Sequence, residues 1–329
     1  MTLSGQQVFV TGATGFLGGA LALRLADDGA HVRALARSAA KAELLRARGI
    51  EIVIGDVTDA NTIMQAVAGC AYVFHVAAAF RGWAEQQAVN VEGTRAVARA
   101  AAAAGVQRLI HVSTIGVYGT AQPGDVTEDM QPAPGISPYA VTKNQGEAVV
   151  RGVCAEHNLS YAINRPAFIY GPRSQPWTGG LFRLARLNPT PWFGDGSGSS
   201  HPIHVDDVVD QLVVLATHPA AHNQTFNCSP DPAPTWREFL GLYARLAGHN
   251  NWLALPPMLG YALAGIAMLA SPPAHEARAL PDFFNWTQQH QTIKMTKSQE
   301  LLGWSPRIAL ADGVAGCAPW LREQGWLRD

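Results

Sequence analysis

A loop of spaced glycines constrains this chain more than any other feature. Thr11-Gly12-Ala13-Thr14-Gly15-Phe16-Leu17-Gly18 follows the apolar run Val8-Phe9-Val10 and opens a helical pattern. Gly12 permits a tight turn after a strand, Gly15 lets the backbone approach a ligand, and Gly18 lets the helix sit close to the sheet. N–H groups at the start of such a helix, together with its dipole, face an anion. Glycine spacing alone is common in loops. Placed between an apolar strand and a helix near the N-terminus, it is the arrangement that cradles a dinucleotide pyrophosphate.

The rest of the first half repeats the strand–helix alternation. Strand patterns fall at 8–10, 31–35, 51–54, 72–75, 109–113 and 161–164, and helical patterns at 16–28, 41–48, 59–69, 90–104 and 139–158. Such alternation predicts a parallel sheet with helices on both faces, which binds ligands at the carboxyl ends of its strands. After about Tyr170, Pro and Gly become dense, and helical patterns follow at 205–218, 235–247, 257–270 and 311–324. We therefore expect an α/β chain. Residues 1–170 would form a Rossmann-type, doubly wound dinucleotide-binding domain. Residues 171–329 would mainly form a smaller substrate-binding lobe, interleaved with the first.

Composition narrows the class. With 48% hydrophobic and 15% charged residues among 329, the chain fits a well-packed enzyme. A formal net charge of −1 and the absence of a basic run argue against a nucleic-acid partner. Cys70, Cys154, Cys228 and Cys317 lie far apart with no CxxC pair, which suits buried thiols in a reducing compartment. The first residues lack a basic and an apolar region, so no cleaved signal is expected and a cytoplasmic location is. The apolar segment Met258 to Ala270 is shorter than the ~20 residues of a spanning helix. A buried helix is the plainer reading; a helix on a membrane surface or against a lipophilic substrate is the alternative. His201-Pro202-Ile203-His204 beside Asp206-Asp207 resembles a metal set, but helix capping by Asp206 or Asp207 accounts for it, and no metal is expected.

Three further places carry chemistry. The end of the second strand, where a carboxylate would bind the adenosine ribose, holds Ala36 followed by Arg37-Ser38. A guanidinium and a hydroxyl suit a phosphate monoester, so NADP(H) is favoured over NAD(H). Asp56-Val57, after the third strand, would contact adenine through a carboxylate and a backbone amide, although Asp56 equally fits a turn. Tyr139 and Lys143 are spaced i, i+4 and project from one helix face. A free phenol is too weak an acid to act as a base at neutral pH; a neighbouring ammonium favours the phenolate.

Taken with His111-Val112-Ser113-Thr114-Ile115-Gly116-Val117-Tyr118-Gly119, these motifs resemble an extended short-chain dehydrogenase/reductase, in the superfamily of nucleotide-sugar epimerases and dehydratases. The likeness runs through Gly55-Asp56-Val57, Phe74-His75-Val76-Ala77-Ala78, Asn90-Val91-Glu92-Gly93-Thr94 and Arg165 to Pro172. It continues through His204 to Val208 and Gly303 to Arg307. The resemblance implies a catalytic set of Thr114, Tyr139 and Lys143. It implies cofactor contacts at Gly12, Thr14, Gly15, Phe16, Leu17, Arg37, Asp56, Val57, Ala77, Ala78, Pro166 and Ile169, besides Tyr139 and Lys143. Asn90 would be structural. A homodimer paired through the 90–104 and 139–158 helices is implied as well.

The branch must come from the second lobe. Gly194 to His201 lacks the arginine that often binds a sugar-nucleotide diphosphate, and Ile115-Gly116 stand where dehydratases often carry Asp-Glu. Phe80 and Trp83, after the fourth strand, place aromatic side chains at the expected substrate mouth. The 256–270 segment is similar to an apolar helix of the 3β-hydroxysteroid dehydrogenase-like branch. These features favour a hydroxyl/ketone oxidoreductase with a largely apolar substrate. The alternatives are a sugar or nucleotide-sugar epimerase or dehydratase holding NAD tightly and, remotely, a non-catalytic NAD(P)-sensing protein.

Overall fold

The computed structural model describes residues 3–119, 124–271 and 280–328. In chain order the strands are β1 (Gln7–Thr11), β2 (His31–Ala36), β3 (Glu51–Ile54), β4 (Tyr72–His75), β5 (Arg108–Val112), β6 (Gly124–Val126), β7 (Tyr161–Pro166), β8 (Phe168–Tyr170), β9 (Thr190–Phe193), β10 (Pro202–His204), β11 (Gln224–Cys228), β12 (Trp252–Leu255) and β13 (Gln291–Ile293). The α-helices are α1 (Phe16–Asp27), α2 (Glu43–Arg46), α3 (Ala60–Val67), α4 (Trp83–Gln86), α5 (Thr94–Ala103), α6 (Pro138–Glu156), α7 (Leu181–Ala185), α8 (Val205–Thr217), α9 (Trp236–Leu246), α10 (Pro257–Ala270), α11 (Leu280–Gln288), α12 (Thr296–Leu302), α13 (Leu310–Ala315) and α14 (Ala318–Glu323).

Seven parallel strands form the central sheet in the order β11-β7-β5-β4-β1-β2-β3. The chain starts in the middle and winds outward in both directions, the Rossmann-type arrangement. Sheet alternation builds two cores. Val8 and Val10 point to the face covered by Leu21 of α1 and Leu212 of α8, whereas Phe9 points to the face covered by Ile63, Val97 and Val150 of α3, α5 and α6. A third core, around Trp236, Phe239, Tyr243 and Phe182, joins α7, α9 and the C-terminal helices. Strand β11 and helix α8 lie beyond residue 170 yet complete the first sheet.

Several local expectations are corrected. The 41–48 helix is a 3-10 turn at Ala40–Ala42 followed by the short α2. The 90–104 helix begins as a π-helical turn at Gln87–Gly93 before α5. The 311–324 helix is two pieces, α13 and α14, the second carrying Pro319 in its first turn, where a missing N–H suits a helix start. Neither Asp206 nor Asp207 caps α8. His204 does, its Nδ1 accepting from the Asp206 N–H at 3.2 Å, while the buried Asp207 carboxylate accepts from Arg307 N and Ile308 N at 2.9 and 3.2 Å. Finally, α10 is not a buried helix. Only Gly260 and Ala264 are buried, and Met258 and Leu269 are 75% and 79% exposed. Among the described residues, no helix is long and apolar enough to cross a membrane.

Candidate active site

The glycine loop joins β1 to α1. Gly12 has φ +71°, and a Cβ there would lie 2.7 Å from Ala77 N; Gly18 leaves no room for a Cβ either, which would lie 2.2 Å from Gly12 O. The loop after β1 is therefore pressed against the loop after β4 on one side and against α1 on the other. Thr11 stitches the two loops together: its Oγ1 accepts from Val76 N and Ala77 N, both at 3.1 Å, and meets His75 Nδ1 at 2.8 Å. Gly15 forms the N-cap of α1 with no side-chain cap, and the first turn holds no acid. N–H groups left free at such a helix start suit an anion.

Most of the other expected cofactor positions follow the carboxyl ends of the central strands; Ile169 lies in the separate β8–β10 pair. Arg37 is exposed just past β2, after the buried Ala36. Asp56 Oδ1 accepts from Thr58 N and Thr58 Oγ1 at 3.0 and 2.8 Å, so this carboxylate does shape a turn. Val57 is buried in the core, leaving its backbone as the part that can meet a ligand. Ala77 and Ala78 are half-buried after β4. Pro166 ends β7 in a buried position, and Ile169 in β8 pairs with Ile203 of β10.

Thr114 stands just past β5. It caps a 3-10 turn at Ile115–Tyr118, accepting from Gly116 N at 3.1 Å. That turn lies against the first turn of α6, where a Cβ on Gly116 would sit 3.8 Å from the Ala140 methyl. Helix α6 starts at the Ser137 cap with Pro138 in its first turn, which sets Tyr139 and Lys143 one turn apart. Asn90 fixes the neighbouring loop. Its Oδ1 accepts from Ala79 N at 2.8 Å, and its Nδ2 donates to Ala79 O and Thr142 Oγ1 at 3.0 Å each. Phe80, 61% exposed, stacks on the Tyr139 ring at 4.8 Å; Trp83 is 40% exposed nearby in sequence. Sequence pattern alone did not foresee this stack, since it joins a loop and a helix 59 positions apart.

Electrostatics at the site differ from the simple expectation. Burial pushes the Tyr139 phenol up from its ordinary value rather than down. Lys143 is 1% exposed; burial pulls its ammonium down to about 8, against the opposing charge of Glu147 one turn along. The phenol thus keeps its proton at neutral pH, with a cation of adjustable charge on the same helix face.

Residues 8–229 match the model of the NAD dependent epimerase/dehydratase family. The chain belongs to that family. As an extended short-chain dehydrogenase/reductase of this epimerase/dehydratase family, it is 32% identical to UDP-glucose 4-epimerase of Mycolicibacterium smegmatis, covering 97% of this chain and 99% of the relative. It is also 30% identical to ceramide reductase of Caulobacter vibrioides, covering 97% and 96%. The fold matches the crystal structure of UDP-glucose 4-epimerase from Thermotoga maritima with UDP-glucose, with TM-score 0.78, 23% identity and coverage of 97% and 99%. The cradle fits the dinucleotide that the epimerase/dehydratase family name implies: a side chain at Gly12 or Gly18 would close it, and α1 leaves its first N–H groups uncapped.

Proposed function

We propose that this chain is an NAD(P)-dependent oxidoreductase acting between the hydroxyl and ketone states of a largely apolar substrate. The observation that carries the reading is the Phe80 ring stacked on Tyr139, an exposed aromatic cover directly on the proton-transfer phenol. When bound, a nicotinamide dinucleotide supplies or takes up the hydride. Gly12, Thr14, Gly15, Phe16 and Leu17 would hold its pyrophosphate, Arg37 an adenosine 2′-phosphate, and Asp56 and Val57 the adenine side. Ala77, Ala78, Pro166 and Ile169 would line the nicotinamide half. Arg37 behind an uncharged Ala36 favours NADP(H).

Thr114 Oγ1 donates to the substrate oxygen, Tyr139 Oη gives or takes the proton, and the Lys143 ammonium favours the phenolate as the proton leaves. Burial holds the proton on Tyr139, so the resting phenol can donate to a carbonyl oxygen. Residues 171–329 supply most of the substrate lobe, and two copies pair through α5 and α6.

The similarity to a ceramide reductase over nearly the whole chain supports an apolar substrate. The similarity to a UDP-glucose 4-epimerase supports a second reading, epimerisation with NAD retained through turnover. One experiment separates them: purified protein is assayed for net NADPH oxidation with long-chain ketones, and for UDP-glucose conversion without net redox change. Tyr139→Phe should abolish turnover while cofactor binding persists. Unchanged turnover in that variant would refute the mechanism.

A further inference from the structure

Helix α10 carries an apolar surface that the proposed chemistry does not use. Its fourteen residues include no charged side chain. Leu259, Leu263 and Ile266, spaced four and three apart, are 46%, 51% and 63% exposed, with Met258 and Leu269 more so at the two ends. The opposite side is fixed to the protein: Tyr261 meets Phe284 of α11 edge-on at 4.5 Å, and a Cβ on Gly260 would lie 2.2 Å from the same ring. A surface helix ordinarily turns its apolar stripe to the core and a polar one to water. Here the outward stripe is apolar.

Size and position choose the occupant. At about 1.5 Å per residue and roughly 10 Å across, one face of this helix spans on the order of 200 Å². That is well short of the ~800 Å² per partner that stable protein interfaces bury. A bilayer requires no complementary partner surface, only apolar side chains that reach the acyl boundary. The position is next to the candidate site. Asp282 of α11 accepts from the Ile136 N–H at 3.3 Å, and Ile136, 58% exposed, precedes Tyr139 by three residues. Phe283 of α11 and Phe80 on Tyr139 are themselves exposed, 38% and 61%.

We propose that α10 rests on a lipid bilayer with its Leu259–Leu263–Ile266 stripe in the headgroup–acyl boundary, so that the mouth beside Tyr139 receives substrates dissolved in the membrane. The delivery half of this inference rests on the oxidoreductase reading above; the docking half stands alone.

Flotation of the full chain with neutral phosphatidylcholine vesicles tests the docking. With no cation on α10, the bound fraction should be unchanged when phosphatidylglycerol is added or salt is raised. Leu263→Asp combined with Ile266→Asp should lower the bound fraction at least tenfold and leave Tm and NADPH binding as in the parent, because both side chains are exposed. Tyr139→Phe should float like the parent, so that lost docking and lost chemistry are read separately. No flotation of the parent, or flotation that needs phosphatidylglycerol and survives the double substitution, overturns the proposal. So does a solution mass that halves in the double variant, which would place a second copy on this face.

Discussion

Glu147 and Arg165 form a buried two-point ion pair one helical turn from Lys143. Arg165 Nε and Nη2 donate to the two carboxylate oxygens at 2.8 and 2.7 Å, and each side chain is 2% exposed. Arg165 Nη1 also donates to Tyr118 Oη at 2.7 Å, and the hydroxyl passes on to Asn227 Oδ1 at 2.7 Å. Burial pushes the Glu147 carboxyl up, but the guanidinium more than reverses this and holds it below the usual range. The carboxylate therefore stays charged and keeps the Lys143 ammonium from falling further.

Glu147→Gln should cost about 3–5 kcal/mol, because it leaves Arg165 charged and unpaired in the interior. The double variant Glu147→Gln/Arg165→Met should be more stable than that single variant. Urea midpoints measure both. In Glu147→Gln the Lys143 pKa should also move below about 8, since the opposing charge is gone, and the alkaline limb of the activity profile should shift to lower pH.

Phe80→Ala removes the ring that covers the phenol. Burial is what raises Tyr139, so opening this side to water should lower its pKa. The expected outcome is a pH–kcat/KM profile displaced to lower pH, with a raised KM for an apolar ketone. A profile that stays in place would mean that Phe80 does not shield the reacting oxygen.

Arg37→Ala should weaken NADPH binding by roughly tenfold, the worth of one or two charge-assisted hydrogen bonds, and leave NADH binding within twofold. Equal losses for both cofactors would move Arg37 away from the 2′-phosphate. Gly12→Ala should lose both cofactors and stability together. The new methyl would sit 2.7 Å from Ala77 N, at a backbone φ of +71°.

Six of the seven strands of the doubly wound sheet were readable because strand–helix units are local; β11, which joins β7 from residues 224–228, was not. Each of those units announces itself through apolar periodicity, and Gly12, Gly15 and Gly18 between a strand and a helix mark one crossing point. Tyr139 and Lys143 were readable for the same reason, being fixed by one helix. What escaped was non-local. The Phe80–Tyr139 stack joins a loop and a helix 59 positions apart, and the Glu147–Arg165 pair joins α6 to the next strand, β7. The pairing of β6 with β13 links residues 124–126 to 291–293, and no alternation within three residues could reveal it. Asp207 looked like a cap because carboxylates cap helices, yet its partners are backbone groups a hundred positions away. The outward face of α10 escaped because an all-apolar stretch does not say which side meets protein.

Acid sensitivity follows from the two histidines behind the site. The rings of His75 and His111 lie 5.3 Å apart and both are fully buried. His75 Nδ1 is held by Thr11 Oγ1 at 2.8 Å and its Nε2 by Thr94 Oγ1 at 2.9 Å, whereas neither nitrogen of His111 has a hydrogen-bond partner among the described residues. Burial, aided by the Lys143 charge, takes His75 down to about 3 and His111 well below its ordinary value. Unfolded, each titrates near ~6.5. Between about 3 and that value the unfolded chain binds protons that the native chain refuses, so stability falls as pH falls through this window. Each histidine contributes up to about 1.4 kcal/mol per pH unit. His111→Leu removes one refused proton without breaking a hydrogen bond; burial also depresses His201 and His204, so other groups keep part of the slope. It should leave stability at pH 8 nearly unchanged and lower the slope of unfolding free energy between pH 6 and pH 4 by up to about 1.4 kcal/mol per pH unit, as measured by urea titration at each pH. A slope equal to the parent's would show that native His111 takes up its proton as readily as the unfolded chain does.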